Sequence, residues 1–210
     1  MKPRLFYLII LTLILGGCSK MKIEDFKNTT PVFNLEDYFQ GKTKAWGMFE
    51  DRFGRIQRQF VVDIEGSWDG DNLTLTEDFL YNDGETETRV WVLEKTGPQN
   101  YTGTTDNVIG DAIGTINGNA FNWTYKFKLK VGDSYWNVKF DDWMILQPDG
   151  VLLNKATITR WGIKLGTVYI SFSKPANQQT NVFELTSAES QQSAMSHKLA
   201  DLNPNGLYAN

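Results

Sequence analysis

Few side chains in this sequence are equipped for chemistry. There is one histidine, His197, and one cysteine, Cys18. Ser-His, Cys-His and His-rich metal constellations therefore have no members to draw on. "GDAIGTING" is glycine-rich but precedes no helix, so it is no phosphate loop. "DGDN" at 69–72 is too short for a calcium loop and reads as a turn. What remains is a set of charged and polar residues in otherwise apolar company. In "NLTLTEDFLY", Leu73, Leu75, Glu77 and Phe79 share one face, because strand side chains alternate. By the same parity Glu50, Arg58, Asp142, Asn154 and Arg160 point inward with Glu77. Buried charges need partners. Three roles are open to the set: a structural ion pair such as Glu50 with Arg58, a polar anchor for a ligand head group, or a carboxylate with raised pKa acting as acid or base. In "FDDW", Asp141 and Asp142 are adjacent and so face opposite sides of a strand. Asp78 and Arg89 read as a surface pair on the outer face of their hairpin.

These residues must be positioned by strands. From Thr43 to Lys174 the chain alternates between short apolar-patterned runs and turns at Arg52-Phe53-Gly54, Asp69-Gly70, Asp83-Gly84, Asn117-Gly118, Gly132-Asp133, "QPDG" at 147–150 and Arg160-Trp161-Gly162. That makes roughly ten strands of ordinary length joined by short links. Short links force antiparallel neighbours, and a long meander without covering helices closes into an all-β, up-and-down barrel. The cleanest run is "NWTYKFKLKV". Trp123, Tyr125, Phe127 and Leu129 point one way and Lys126, Lys128 and Lys130 the other. Two-residue loops place Glu77 opposite Val90, Phe60 opposite Phe79, Trp123 opposite Ala112 and Phe127 opposite Val138. The 52–54 loop places Trp46 near Phe60. Asn34 is set to cap one helical turn at Leu35–Phe39 before Gly41.

The 210-residue chain carries a formal charge of −4 and no basic block, which argues against nucleic-acid binding. Its first residues form a secretory signal: Lys2 and Arg4, an apolar run from Leu5 to Leu15, then Gly16-Gly17-Cys18. This is a lipobox. Cleavage before Cys18 and acylation of it make a lipid anchor, and Ser19 after the cysteine directs the product to the inner leaflet of the outer membrane, facing the periplasm. The expected divisions are a signal peptide at 1–17, a lipidated cysteine and polar tether at 18–32, a barrel at 33–174 and a polar tail at 175–210. The tail is rich in Asn, Gln and Ser, with a marginal helix at Ser187–Leu202.

The segments "GKTKAWGMFEDRFGRIQRQFVVDIEGSWDGDNLTLTEDFLYNDGETETRVW" and "FDDWMILQPDGVLLNKATITRWG" resemble the bacterial lipoprotein family of domain of unknown function 3833, over about Phe33 to Lys174. The resemblance implies an envelope lipoprotein and hints at lipid handling. A looser similarity is to lipocalins and other calycins, which also lead from a helical turn into a strand carrying a Gly and a Trp. Here these are Gly41 and Trp46, more widely spaced than usual.

The resulting expectation is a binding module: a barrel holding a fatty acid or lipid, with no cofactor and no metal. Trp46, Phe60, Phe79, Trp123, Tyr125, Phe127 and Phe140 would form the wall. Glu77 and Asp142 would be its polar groups, and Arg58 or Arg160 would meet the ligand carboxylate. The alternatives are a solidly packed assembly lipoprotein that binds an envelope protein on its outer face, and an enzyme using Glu77 or Asp142 as acid or base.

Overall fold

A computed structural model describes residues 20–175. The signal segment, Cys18, His197 and the Ser187–Leu202 stretch lie outside the described residues. Ten strands follow one short helix: α1 (Leu35–Phe39), β1 (Gly41–Asp51), β2 (Ile56–Trp68), β3 (Asn72–Tyr81), β4 (Thr86–Lys95), β5 (Asn100–Thr104), β6 (Ala112–Asn117), β7 (Ala120–Val131), β8 (Ser134–Leu146), β9 (Leu152–Arg160) and β10 (Ile163–Ser173). Each strand pairs antiparallel with the next, and β10 pairs with β1, so the sheet is a closed barrel. Fold class and strand number are as the turns imply.

The registers are instructive. Between β7 and β8 the pairing is as expected, with Phe127 opposite Val138 and Tyr125 opposite Phe140. Two hairpins are shifted by two residues, which preserves the faces: Phe60 lies opposite Tyr81, and Trp123 opposite Gly114. Two others differ by one residue, which turns every side chain over. After the 52–54 turn, Glu50 meets Ile56 as the three-residue loop requires. Gln57 is then an extra residue, and beyond this bulge Gly47 rather than Trp46 faces Phe60. Trp46, Met48 and Glu50 therefore point outward, so Trp46 is not part of the inner wall and Glu50 is not an inward partner of Arg58. The second case is the Asp83-Gly84 turn. It is a three-residue loop, Asn82–Gly84, in which the Tyr81 N–H donates to the Glu85 carbonyl. Gly84 takes the left-handed position at φ 85°, and the Asp83 carboxylate accepts from the Glu85 N–H at 3.0 Å. Glu77 consequently faces Arg89, not Val90. Trp91 and Leu93 go into the core, whereas Val90 and Val92 are exposed. The expected outer pair of Asp78 with Arg89 does not form; Asp78 accepts from the Thr88 hydroxyl instead.

Helix α1 lies across one end of the barrel. Leu35, Tyr38 and Phe39 are buried in the main core with Phe33, Leu73, Tyr101, Phe121 and Phe172. The Tyr38 hydroxyl lies 3.1 Å from both the Gly150 and Phe172 carbonyls, within hydrogen-bonding distance of each. Glu36 accepts from the Tyr101 hydroxyl at 2.7 Å and pairs with Lys95. Burial would raise the Glu36 carboxyl, but these partners hold it below the ordinary carboxylate value. A smaller apolar group of Phe127, Val138, Phe140, Ala156 and Ile158 fills the other half. The stretch before the helix runs along the wall and is no free tether. Lys20 pairs with Asp141 at 2.9 Å, Ile23–Phe26 forms a 3-10 turn, Phe26 packs on Trp143 with centroids 5.8 Å apart, and the Thr29 hydroxyl contacts the Asn119 side chain at 2.7 Å.

The plug sits so close to β2 that a Cβ on Gly66 would come within 1.9 Å of the Phe39 carbonyl oxygen. Gly66→Ala must push α1 outward. The expected cost is about 1–3 kcal/mol of unfolding free energy, as for overpacking elsewhere, read from urea denaturation. An unchanged midpoint would show that α1 does not seal the barrel.

Candidate functional site

Alternation along ten strands directs one row of side chains from each into the barrel. Between the plug and the far rim they leave a cavity of about 670 Å³. Leu35 and Phe39 bound it at the plug end; Gln57, Lys130 and Gly132 line it at the opposite rim, where the 52–54 and 132–133 turns lie. Most of the lining is aromatic or aliphatic. Trp91 packs against Trp123 and Tyr125 at centroid distances of 5.8 and 5.3 Å, and Tyr125 stacks on Phe140 at 4.9 Å.

A small polar group interrupts this lining. Glu77 on β3 and Arg89 on β4 are cross-strand neighbours. The Arg89 guanidinium pairs with Glu87 at 2.7 Å and lies over the rings of Phe79 and Phe127 at 4.9 and 5.3 Å. Glu87 also accepts from the Tyr81 hydroxyl at 2.9 Å. On the β7–β8 wall the Tyr125 hydroxyl donates to one Asp142 carboxyl oxygen at 3.3 Å. The other Asp142 oxygen and the Arg89 Nε have no hydrogen-bond partner among the described residues.

Burial dominates the electrostatics. It raises the Asp142 carboxyl to about 8, against a partial lowering by the Tyr125 hydroxyl, with Asp141 pushing the same way as burial. It raises Glu77 to about 7, opposed by Arg89 and reinforced by Glu87. The Glu77 carboxyl faces the cavity rather than bulk solvent, so what accessibility it has is cavity surface. Burial would likewise raise Glu87, but Arg89 and Tyr81 hold it below the ordinary value. The centre thus combines an Arg89–Glu87 ion pair with two carboxyls, Glu77 and Asp142, that burial holds protonated well above the ordinary carboxylate range.

Of the residues singled out by sequence, Arg58, Phe60, Glu77, Phe79, Trp123, Tyr125, Phe127, Phe140, Asp142 and Asn154 line the cavity. Arg58 sits toward the rim, over the Tyr81 ring at 3.4 Å, and its partners are Asp83 and Glu85, not Glu50 or Glu77. Arg160 is absent from the lining; it stacks over Trp136 and Trp161 at 4.4 and 4.2 Å. Trp46 lies outside. Arg89, Glu87 and Trp91 were hidden by the one-residue slip at Asn82–Gly84. The demand of a buried Glu77 for a counter-charge was the available signal, since only the shifted register supplies one.

A family model described as protein of unknown function (DUF3833) matches residues 12–174. No curated protein and no solved structure matches the chain.

The raised carboxyls make stability depend on pH with a definite sign. In the folded barrel Glu77 and Asp142 bind protons that the unfolded chain releases at their ordinary values of 4.5 and 3.8. Their contribution is fully present below those values and is lost as pH rises through about 7 and about 8. Urea midpoints should fall from pH 5 to pH 8, and Asp142→Asn, which keeps a neutral isostere, should flatten the upper part of that slope. A wild-type midpoint that is level or rising across this range would contradict the assignment.

Proposed function

The chain belongs to the DUF3833 family, and we propose that it is an outer-membrane-anchored periplasmic lipoprotein whose barrel binds an apolar ligand, a fatty acid or acyl lipid, in envelope lipid handling. The observation that carries this reading is the cavity: about 670 Å³ of apolar-walled space with a few convergent polar groups. Anchoring is supported by the sequence pattern before Cys18, and the family match, beginning at residue 12, takes in that cysteine.

The polar groups refine the ligand chemistry. Protonated Asp142 and the Arg89 Nε–H both have donor capacity unmet by the described protein. Both suit an acceptor oxygen, as in a carboxyl or ester, with the hydrocarbon along Trp91, Trp123, Phe127 and Phe140. In this reading Arg89 takes the role first assigned to Arg58 or Arg160. Arg58 stands nearer the rim with its own carboxylate partners.

Native mass spectrometry of the full chain purified from a bacterial host should show an adduct with the mass of an acyl lipid, removed by organic extraction. Arg89→Gln should lower occupancy about tenfold or more, the scale of a lost charged hydrogen bond. Ala156→Phe, placed on the cavity wall where Ala156 is buried, should abolish the adduct while near-UV circular dichroism confirms a packed core. Folded wild-type protein that carries no lipid, and takes up none when offered free fatty acid, would overturn the reading.

A further inference from the structure

The outer surface of the barrel carries an apolar groove that the interior site does not use. Its volume is about 670 Å³, and it crosses four adjacent strands, β8, β9, β10 and β1. In register, Ile145, Leu153, Ser171 and Trp46 form one row across this wall. Trp143, Lys155, Tyr169 and Met48 form the next row, with Lys155 its one charged member. Trp46 is 47% exposed and Leu153 46%, and Met21, 44% exposed, covers one flank. Contiguous apolar surface rimmed by polar groups marks an interaction site. Tryptophan and tyrosine, apolar in body and polar at one edge, are the side chains that settle at a membrane–water interface.

The path of the chain identifies what meets this wall. Lys20 is ion-paired to Asp141, and Phe26 is packed on Trp143, so the segment leading to the barrel is fastened along the wall itself. Met21 is already part of the groove. Cys18 lies two residues before Lys20, a reach of roughly 7 Å even when fully extended. An acyl anchor on Cys18 therefore enters lipid about 10 Å or less from Met21. A folded protein partner has no room between the wall and the bilayer at that distance. We propose that the β8–β9–β10–β1 wall is the membrane-seating face, with Trp46, Trp143, Tyr169 and Leu153 set into the lipid interface of the bilayer that receives the chain's own acyl groups. The proposal rests on the acylation of Cys18 put forward above. It adds an orientation: the barrel lies along the membrane on one side, with its rim facing sideways.

The test uses the full chain extracted from bacterial membranes, its acylation read by intact mass, and reconstituted in phosphatidylethanolamine–phosphatidylglycerol vesicles with and without dibrominated phosphatidylcholine. Tryptophan emission is compared for wild type, Trp46→Phe and Trp161→Phe, so that the share of each tryptophan is obtained by difference. Trp161, 84% exposed in the β9–β10 turn at the rim, is the internal contrast. Brominated lipid should remove most of the Trp46 share and leave the Trp161 share unchanged. Quenching confined to Trp161 would place the rim on the membrane and overturn the assignment, as would quenching of neither. Acylated protein with an unquenched Trp46 defeats the face assignment alone, whereas a mass without acyl groups removes the anchor and this inference together.

Discussion

The seam between β1 and β10 is the constraint on which the rest of the molecule depends. Eight consecutive register pairs, from Lys44 with Ser173 to Asp51 with Gly166, join the first strand to the last. Closure removes both sheet edges and leaves each backbone row paired on two sides. It also makes the interior a bounded volume. Once the seam forms, the inward row of every strand shares one space, and a residue's parity decides whether it meets water or the other nine strands. Helix α1, placed immediately before β1, is carried to the barrel end by the same geometry, where Tyr38 binds the last strand through the Phe172 carbonyl.

Enclosure explains the unusual state of the central carboxyls. Two acidic side chains, Glu77 and Asp142, and one guanidinium, that of Arg89, face one another in an apolar surround, with the part-exposed Glu87 paired to Arg89 from the side. One guanidinium, already paired to Glu87, does not offset two further carboxylates removed from water, so protonation of Glu77 and Asp142 is favoured. Glu87 has the direct ion pair and remains charged. Glu77 and Asp142, with weaker compensation, hold their protons into the neutral range. The group is thus a site of exchangeable protons and unmet donors inside a wall of rings, which is a different object from the surface pairs at Lys44–Asp63 or Arg55–Asp51.

How much of this was legible in the sequence follows from parity. The alternation of Trp123, Tyr125, Phe127 and Leu129 with three lysines admits only one facing, and β7 pairs with β8 as read. Turn errors of two residues at 69–72 and 117–119 were harmless, because they return every side chain to its own face. Errors of one residue were not. The Gln57 bulge cannot be seen in a stretch whose both phases contain apolar residues: Trp46 and Met48 in one, Ala45, Gly47 and Phe49 in the other. The β4 run "RVWVL" has the same ambiguity, with Val90 and Val92 competing against Trp91 and Leu93. Volume resolves it in the folded barrel, since the larger pair fills the interior. The cavity's acidic half was therefore readable from β3 and β8, and Arg58 toward the rim from β2, whereas the central cation, Arg89, was not.

The plug has one more consequence. Leu35 and Phe39 floor the tube at one end, and Gln57, Lys130 and Gly132 line it at the far rim. If the rim is the way in, as the binding reading proposed above has it, a linear guest would enter one end first. With the polar group part-way along the wall, the depth from Arg89 to Phe39 would then act as a ruler for that guest: a shorter tail would leave empty space against the plug, and a longer one would have to fold back or hold its head away from Asp142. In that binding reading, the five residues of α1, as the floor of the tube, would set the length of guest that fits.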